Sequence, residues 1–246
     1  MGTVVAIQVH SSDEPSARSA IAGAVEWLHW VDATFSTYRA SSEISRLDRG
    51  EISEAECHPE VGDVLARCEG LRLSTGGYFD ARASGRLDPS GLVKGWSIER
   101  ASEMMVKAGC PNHLIDAGGD VRLRGHQSGG GGWRVAIRHP FRLDAFCAVL
   151  ELDSGAVATS GTYERGFHVF DPHRGTPAMD LASVTVVGPD LTLADSYATS
   201  ALAMGAGAGA WLQGLAGYEA MTIDAEGMGW ETEGFADHRL AIRSAT

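Results

Sequence analysis

The chain of 246 residues lacks long apolar runs, and no segment approaches the roughly 18 consecutive apolar residues that a membrane-spanning helix needs. It is also poor in basic residues, since 20 Lys and Arg stand against 32 Asp and Glu, for a net charge of -12. A general nucleic-acid binder is usually basic, so this balance argues against that class. An anionic small ligand stays compatible with the sequence if a metal ion or a local cationic cluster reverses the charge at its site.

Other signals are missing as well. The 4 cysteines are scattered and form no CxxC pair, which favours free thiols in a reducing compartment. The first residues, MGTVVAIQVH, show no basic stretch followed by an apolar one, so no signal peptide is recognised and we expect a cytoplasmic protein. The absence of a GxxxxGK[ST] run excludes a P-loop NTPase at the level of motif.

The apolar spacing that is present predicts an α+β protein. Helical periodicity is found early in the chain and again near its end, whereas β-rich runs with Gly, Pro and Asp turns dominate from Leu114 onward. A further strand is predicted at the very start. With no repeat and no long linker, we expect one unit over residues 1–246, built of α and β layers rather than a βαβ alternation. The predicted helices are Ala17–Trp30, Pro59–Thr75, Trp96–Ala108 and Leu193–Leu215.

The most informative segment is LDPSGLVKGWSIER, from Leu87 to Arg100. It predicts a loop rich in Gly, Ser and Pro that delivers Lys94 to a helix start, where Gly91 and Gly95 allow a close backbone approach to a phosphate. Asp88, just ahead, could bind a base or a ribose hydroxyl. A solvated Lys beside a capping turn is the competing interpretation.

Asp195 and Thr199 stand four residues apart in ADSYATSALAMG, so on a helix both side chains project from one face. A carboxylate and a hydroxyl suit a hard cation such as Mg²⁺, which keeps coordination sites for phosphate and water. Alternatively, Asp195 interacts with the helix dipole and Thr199 bonds back to its own helix.

The segment SGTYERGFHVFDPHRGTP, Ser160 to Pro177, places turns around a dense polar set. His168 is a natural proton acceptor for an attacking hydroxyl, and Asp171 could orient it. A purely structural, hydrogen-bonded histidine is the alternative. By contrast, GAGAGA at Gly205 to Ala210 has no βαβ context, so close helix packing explains it better than a phosphate loop.

Taken in order, seven segments resemble the ApbE family of FAD:protein FMN transferases, over most of the chain from Met1 to Gly205. They are MGT, FSTYRASSEISRL, GYFDA, LDPSGLVKGWSIERA, DAGGDVRLRG, TSGTYERGFHVFDPHRGTP and ADSYATSALAMG. The resemblance implies a fold of helices layered on mainly antiparallel sheets. It also implies a Mg²⁺-dependent enzyme that cleaves the FAD pyrophosphate, joins FMN through a phosphoester to a Thr or Ser of an acceptor protein, and releases AMP.

Residue roles follow from the same resemblance. Mg²⁺ would be held by the Asp195 carboxylate, the Thr199 hydroxyl and the Gly91 carbonyl, while His168 would be the base and Lys94 a second positive charge for the reaction. The FAD-binding set would be Met1, Tyr38, Tyr78, Phe79, Asp80, Asp88, Lys94, Gly118, Gly119 and Asp120. Two other functions stay open: an FAD pyrophosphatase that uses water as nucleophile, and a flavin-binding protein without turnover.

Overall fold

The computed structural model describes residues 3–127, 129–162 and 169–240. Its helices are α1 (Glu14–Phe35), α2 (Glu43–Asp48), α3 (Pro59–Ser74), α4 (Ser90–Lys107), α5 (Leu191–Met204) and α6 (Ala208–Gln213). Single turns of 3-10 helix lie at Glu54–Glu56, Gly205–Gly207 and Phe235–His238. Among the described residues, no helix combines the length and the apolar composition that crossing a membrane would require.

Within the described ranges, the strands form one large sheet and two hairpins. They are β1 (Val5–Val9), β2 (His113–Ala117), β3 (Val121–Arg124), β4 (Trp133–His139), β5 (Arg142–Leu152), β6 (Gly155–Gly161), β7 (Phe170–Asp171), β8 (Thr176–Pro177), β9 (Leu181–Gly188), β10 (Glu219–Asp224) and β11 (Gly229–Glu231). In the described part of the chain, the large sheet has the order β1-β2-β3-β6-β9-β10-β11, and each neighbouring pair is antiparallel. This confirms the predicted α+β class with mainly antiparallel sheets.

Both faces of the large sheet are covered. One face packs against α1, α4 and α5 through small and branched side chains, including Ala24, Ile98, Ala198 and Val186. The β4–β5 hairpin covers the other face. Strand β9 is therefore buried along nearly its whole length, which matches its continuous run of apolar and small residues.

Helix α4 begins six residues earlier than predicted, at Ser90 instead of Trp96. The predicted loop around Gly91 and Lys94 is therefore the first helical turns. The glycines obscured this helix in the sequence, because glycine costs about 1 kcal/mol relative to Ala in a helix interior. Gly95 is nevertheless required there, since an added Cβ would overlap the Leu191 carbonyl oxygen.

Three other predictions need correction. The helix predicted over Leu193–Leu215 is interrupted at Gly205, whose φ of 61° ends α5. A separate helix, α6, begins at Ala208. Helix α1 runs three residues further back and five further on than predicted. Helix α2 lies in FSTYRASSEISRLDRG, a polar segment for which the sequence predicts no helix, and Ile44 packs in one core cluster with Val31 of α1 and Val61 of α3.

Candidate functional site

A cleft opens between the helical layer and the end of β6. One wall comes from the α1–α2 connection, another from the loop between α3 and α4, and its base from α4 and α5. The structure brings most of the predicted site residues to this cleft, namely Tyr38, Tyr78, Phe79, Asp80, Asp88, Gly91, Lys94, Asp195 and Thr199. Residues distant in sequence therefore share one cavity, although their roles remain predictions.

A cluster of two buried carboxylates and one ammonium forms the base of the cleft. Asp195 and Lys94 line the cavity, whereas Asp120 contacts Lys94 and is not among the described lining residues. Lys94 Nζ is 2.5 Å from Asp120 Oδ2 and 3.8 Å from Asp195 Oδ1. The side chains of Asp120 and Asp195 are 0% and 3% exposed, whereas that of Lys94 is 20% exposed. Asp120 Oδ1 accepts a 3.1 Å bond from the Thr159 backbone N–H on β6. The cluster thus joins α4, α5, β6 and the start of β3.

Both buried carboxyl groups have a raised pKa. Burial, followed by the charge of Asp120, raises the pKa of Asp195 to about 8. Burial also raises the pKa of Asp120, against the lowering effect of the Lys94 ammonium. One ammonium does not offset the desolvation and mutual repulsion of two carboxylates, so the base of the cleft favours additional positive charge.

Helices α4 and α5 cross at very short range beside this cluster. The Gly95 N–H donates a 2.9 Å bond to Asp195 Oδ2. A Cβ on Gly95 would lie 2.8 Å from Asp195 Cβ, closer than real Cβ contacts. In a regular helix that N–H bonds the carbonyl four residues back, which here belongs to Gly91. The Gly95 N–H therefore holds the Asp195 carboxylate against α4.

Neutral oxygens complete the surroundings of Asp195. Thr199 Oγ1 lies 3.3 Å from Ser160 Oγ of β6. The Gly91 carbonyl accepts a long 3.4 Å bond from Ser196 Oγ, which also bonds Thr192 O at 2.8 Å. Gly91 and Thr199 are neighbours, because a Cβ on Gly91 would be 3.3 Å from Thr199 Cγ2.

These groups fit a magnesium ion by their chemistry. The described residues contain no cluster of three or more His, Cys, Asp or Glu placed to hold a metal. Mg²⁺ does not require one, since it is commonly bound by one or two carboxylates, with water and substrate phosphate completing its shell. Burial and the neighbouring Asp120 disfavour the charged form of Asp195, as its raised pKa shows, and a bound divalent cation would stabilise that charged form.

The loop after α3 places the aromatic wall of the cleft. Thr75 Oγ1 donates to Leu71 O at 2.8 Å and accepts from the Phe79 N–H at 2.9 Å. Phe79 is 3% exposed and anchors the loop in the core, whereas the Tyr78 ring contacts the His173 ring at a tilt of 57°, with centroids 4.4 Å apart. The loop is therefore fixed from both sides.

Asp88 has a local structural contact as well as a place in the cleft. Its Oδ1 accepts a 3.0 Å bond from the Ser90 N–H at the start of α4. The opposite edge of the cleft includes Tyr38, a residue that is 93% exposed. Asp80 Oδ1 accepts from the Arg82 N–H at 2.7 Å. Both Asp80 and Asp88 thus add negative charge to the walls.

A family model connects this arrangement to known proteins. The model of the ApbE family matches residues 1–85 and 81–222, well over half of the chain. The chain belongs to the ApbE family. The resemblance of the seven ordered segments is thereby confirmed.

Solved structures agree on the ApbE fold. The ApbE protein of Thermotoga maritima superposes with a TM-score of 0.86 at 23% identity, covering 98% of this chain and 97% of that one. The flavin transferase ApbE of Vibrio cholerae gives 0.81 at 21% identity, covering 97% and 96%.

Curated relatives match over shorter segments. A FAD:protein FMN transferase of Salmonella typhimurium is 30% identical over 156 residues, which is 59% of this chain and 45% of the relative. Another of that name, from Rhodobacter capsulatus, is 29% identical over 190 residues, covering 74% and 34%. The matched segments thus span less than half of the length of these relatives.

Not all predicted site residues line the cleft of this ApbE-family chain. Gly118 and Gly119 form the turn between β2 and β3, where both have positive φ and the Gly119 N–H bonds Asp116 Oδ1 at 3.0 Å. The pair directs the chain so that Asp120 reaches the base cluster. Met1 and His168 lie outside the described residues.

Asp171 holds a turn among the described residues. Its Oδ1 accepts from the backbone N–H groups of His173, at 2.8 Å, and Arg174, at 3.2 Å. His173 Nε2 in turn lies 3.0 Å from Gly76 O, so this hairpin braces the loop that carries Tyr78. The predicted contact of Asp171 with His168 lies outside the described residues.

Sequence reasoning missed several lining residues. The end of β6 contributes Thr159 and Gly161, and the chain after the undescribed segment contributes Val169 and Phe170. One sequence feature could have indicated them. The β-rich run GAVATSG ends in polar residues, and a strand that ends in polar residues there borders solvent or a ligand. Nothing in the sequence showed that the Thr159 N–H would hold Asp120.

Proposed function

We propose that the protein is a Mg²⁺-dependent FAD:protein FMN transferase. It would cleave the FAD pyrophosphate, attach FMN by a phosphoester bond to a Thr or Ser of an acceptor protein, and release AMP. The observation that carries this proposal is the pair of buried carboxylates, Asp120 and Asp195, with Lys94 between them at the base of a cleft with aromatic walls.

Charge supports a metal requirement. The cleft and its base contain Asp80, Asp88, Asp120 and Asp195, against the single ammonium of Lys94 among its described lining residues. A pyrophosphate would be repelled from such a site unless a cation came with it. Asp195, Thr199 and the Gly91 carbonyl would hold Mg²⁺, close to Asp120. When bound, Mg²⁺ would neutralise charge that develops on the bridging oxygen of the pyrophosphate.

The walls suit the rest of FAD. The Tyr78 ring, supported by His173, offers an aromatic face, and Tyr38 offers another at the rim. The Asp80 and Asp88 carboxylates can accept hydrogen bonds from hydroxyl or amino groups of the nucleotide. Lys94, at the start of α4, would pair with a phosphate oxygen, and the helix N-terminus adds partial positive charge.

The reaction is a phosphoryl transfer in which these residues bind and orient. The acceptor hydroxyl attacks the phosphorus on the FMN side, the bond from that phosphorus to the bridging oxygen breaks, and AMP leaves with that oxygen. The proton of the hydroxyl passes to a base. His168 is the proposed base, and it directly precedes Val169, a residue of the cleft wall.

A direct assay separates this proposal from its rivals. The protein is incubated with FAD, Mg²⁺ and co-expressed candidate flavoproteins, AMP is quantified by chromatography, and the flavoproteins are analysed by mass spectrometry. AMP release together with an FMN adduct on Thr or Ser supports transfer.

Two other results would reject it. FMN and AMP without any protein adduct would identify a pyrophosphatase, with water in place of the acceptor hydroxyl. Bound flavin without Mg²⁺-dependent AMP release would identify a flavin-binding protein without turnover.

A cytoplasmic location and a single unit over residues 1–246 also stay predictions.

A further inference from the structure

Glu99 is a buried charge that the proposed chemistry does not use. It lies in α4, one helical turn after Gly95, and is 7% exposed. Its carboxylate accepts from Arg122 Nε at 2.9 Å and from Arg124 at 2.9 Å, both on β3. Burying this group together with two guanidinium groups is costly unless the arrangement is closely matched.

The same carboxylate also reaches α5. Glu99 Oε2 accepts a 2.8 Å hydrogen bond from the Leu191 backbone N–H, the first residue of that helix. One turn along each helix, the Gly95 N–H bonds the Asp195 carboxylate at 2.9 Å. Two carboxylate–amide hydrogen bonds thus join the antiparallel helices. Their partners are four residues apart on each helix, Gly95 and Glu99 on α4 and Leu191 and Asp195 on α5.

Glu99 also connects to the third element of the site. Arg122, which binds Glu99, lies two residues after Asp120 in the chain and further bonds Gly155 O, at the start of β6. The elements that carry Lys94, Asp120 and Asp195 therefore meet at Glu99. Lys94 directly precedes Gly95, which bonds α5. Asp120 lies two residues before Arg122, and Asp195 lies one helical turn after Leu191, both of which bond Glu99.

We propose that Glu99 is the positioning residue that sets the separation of the candidate metal ligands. Its bond to the Leu191 N–H fixes the start of α5 against α4, so that Asp195 and Thr199 face Gly91 and Lys94 at a constant distance. This inference rests on the proposed function, because the group being positioned is the cation site.

Leu191→Pro removes the N–H of this bond at a position where the backbone tolerates proline. Proline lacks the N–H and is well tolerated at the first position of a helix. The preceding residue, Asp190, already has the extended conformation that proline favours before it, with φ -133° and ψ 128°. Leu191→Ala is the matched control, since it also loses the buried side chain but keeps the N–H.

The readout is Mn²⁺ binding, measured by electron paramagnetic resonance on the folded full chain. Loss of a group that orients a metal ligand typically weakens affinity about 10–100-fold, so we expect at least a tenfold weaker Kd for Leu191→Pro than for Leu191→Ala. Equal Kd values in the two variants would overturn the positioning role, even if both lower the Tm.

Glu99→Gln gives an independent test if Leu191→Pro does not fold. Its single carbonyl oxygen cannot serve the Leu191 N–H and both arginines, so Mn²⁺ binding is again expected to weaken about tenfold. Glu60→Gln is its control, because Glu60 also pairs with an arginine, Arg100 at 3.1 Å, but is not among the described residues that line the cleft. Wild-type Mn²⁺ affinity in folded Glu99→Gln would reject the inference.

The wild-type chain separates the two proposals. Without Mn²⁺ binding and without Mg²⁺-dependent AMP release in the wild type, the proposed function fails. With both present, only the comparison of Leu191→Pro and Glu99→Gln with their controls decides the role of Glu99.

Discussion

The Gly95 N–H in α4 donates a 2.9 Å hydrogen bond to Asp195 Oδ2 in α5, across 100 residues of chain. The bond requires the helices to approach more closely than any side chain on Gly95 would permit. Close packing and the candidate metal site therefore depend on the same contact. A change at this glycine affects both the stability of the protein and its metal chemistry.

Gly95→Ala is expected to separate α4 and α5. The new Cβ would overlap Leu191 O, and overpacking of this kind costs about 1–3 kcal/mol. Urea unfolding measures the loss, and the Mg²⁺ concentration for half-maximal AMP release should rise. The control is Gly23→Ala in α1, where a Cβ meets nothing within 4 Å; this change should raise stability by up to about 1 kcal/mol. Similar unfolding free energies for the two variants would contradict the prediction.

Asp195→Ala is expected to abolish Mg²⁺-dependent release of AMP from FAD. The variant should still fold, because the lost carboxylate is one whose ionisation is disfavoured by burial and by Asp120. Circular dichroism checks folding, and chromatography of AMP over a Mg²⁺ series checks turnover. Asp63→Ala, at an exposed position of α3, serves as the control. Activity with an unchanged Mg²⁺ dependence would refute the ligand role of Asp195.

Lys94→Met is expected to lower kcat/KM for FAD. The ammonium lies 2.5 Å from Asp120, so its removal leaves the two acids without their cation and raises the negative charge of the cleft. Steady-state kinetics at saturating Mg²⁺ measures the effect. Lys107→Met, at the far end of the same helix, should leave kcat/KM unchanged. Identical kinetics in both variants would show that Lys94 does not contribute to the reaction with FAD.

His168→Ala is expected to lower the rate of AMP release by about 10²-fold or more, the usual contribution of a general base. His139→Ala, on the β4–β5 hairpin, is the control for loss of an imidazole away from the cleft. The comparison is made at saturating FAD and Mg²⁺. A wild-type rate in His168→Ala would assign the proton transfer to another group.

His113 predicts how stability depends on pH. Its ring is buried, with Nε2 2.7 Å from Ser102 Oγ and Nδ1 2.8 Å from Cys110 O. Burial lowers the pKa of His113 below its ordinary 6.5, so the unfolded chain takes up a proton first as the pH falls. The contribution of His113 is complete above about pH 6.5 and declines below it, by up to about 1.4 kcal/mol per pH unit.

Urea unfolding between pH 8 and pH 5 tests this prediction. His113→Gln should show a shallower loss of unfolding free energy on acidification than the wild type. His29→Gln, at an exposed position of α1, is the control for the loss of an imidazole. Parallel curves for the wild type and His113→Gln would show that His113 does not titrate differently on folding.

Much of the fold was predictable because local signals agreed with it. Helix α3 was predicted almost to the residue, because its apolar periodicity stops where two glycines, Gly76 and Gly77, follow in the sequence. The start of α4 was not predicted, because Gly91 and Gly95 are typical of a loop when the sequence is read locally. The close approach of α5 explains Gly95, and it is visible only in the structure. The break at Gly205 is similar: a Cβ there would collide with Asp180, a residue distant in sequence.

The candidate site divides in the same way. The sequence shows which groups are available: one lysine in a glycine-rich segment, and a carboxylate and a hydroxyl on one face of a helix, in the order that the family resemblance implies. The buried cluster of Asp120, Asp195 and Lys94, and the connection of their elements through Glu99, follow from the packing of helices against the sheet. Side-chain spacing on one element follows from helix and strand geometry, whereas distances between elements depend on how closely their surfaces pack.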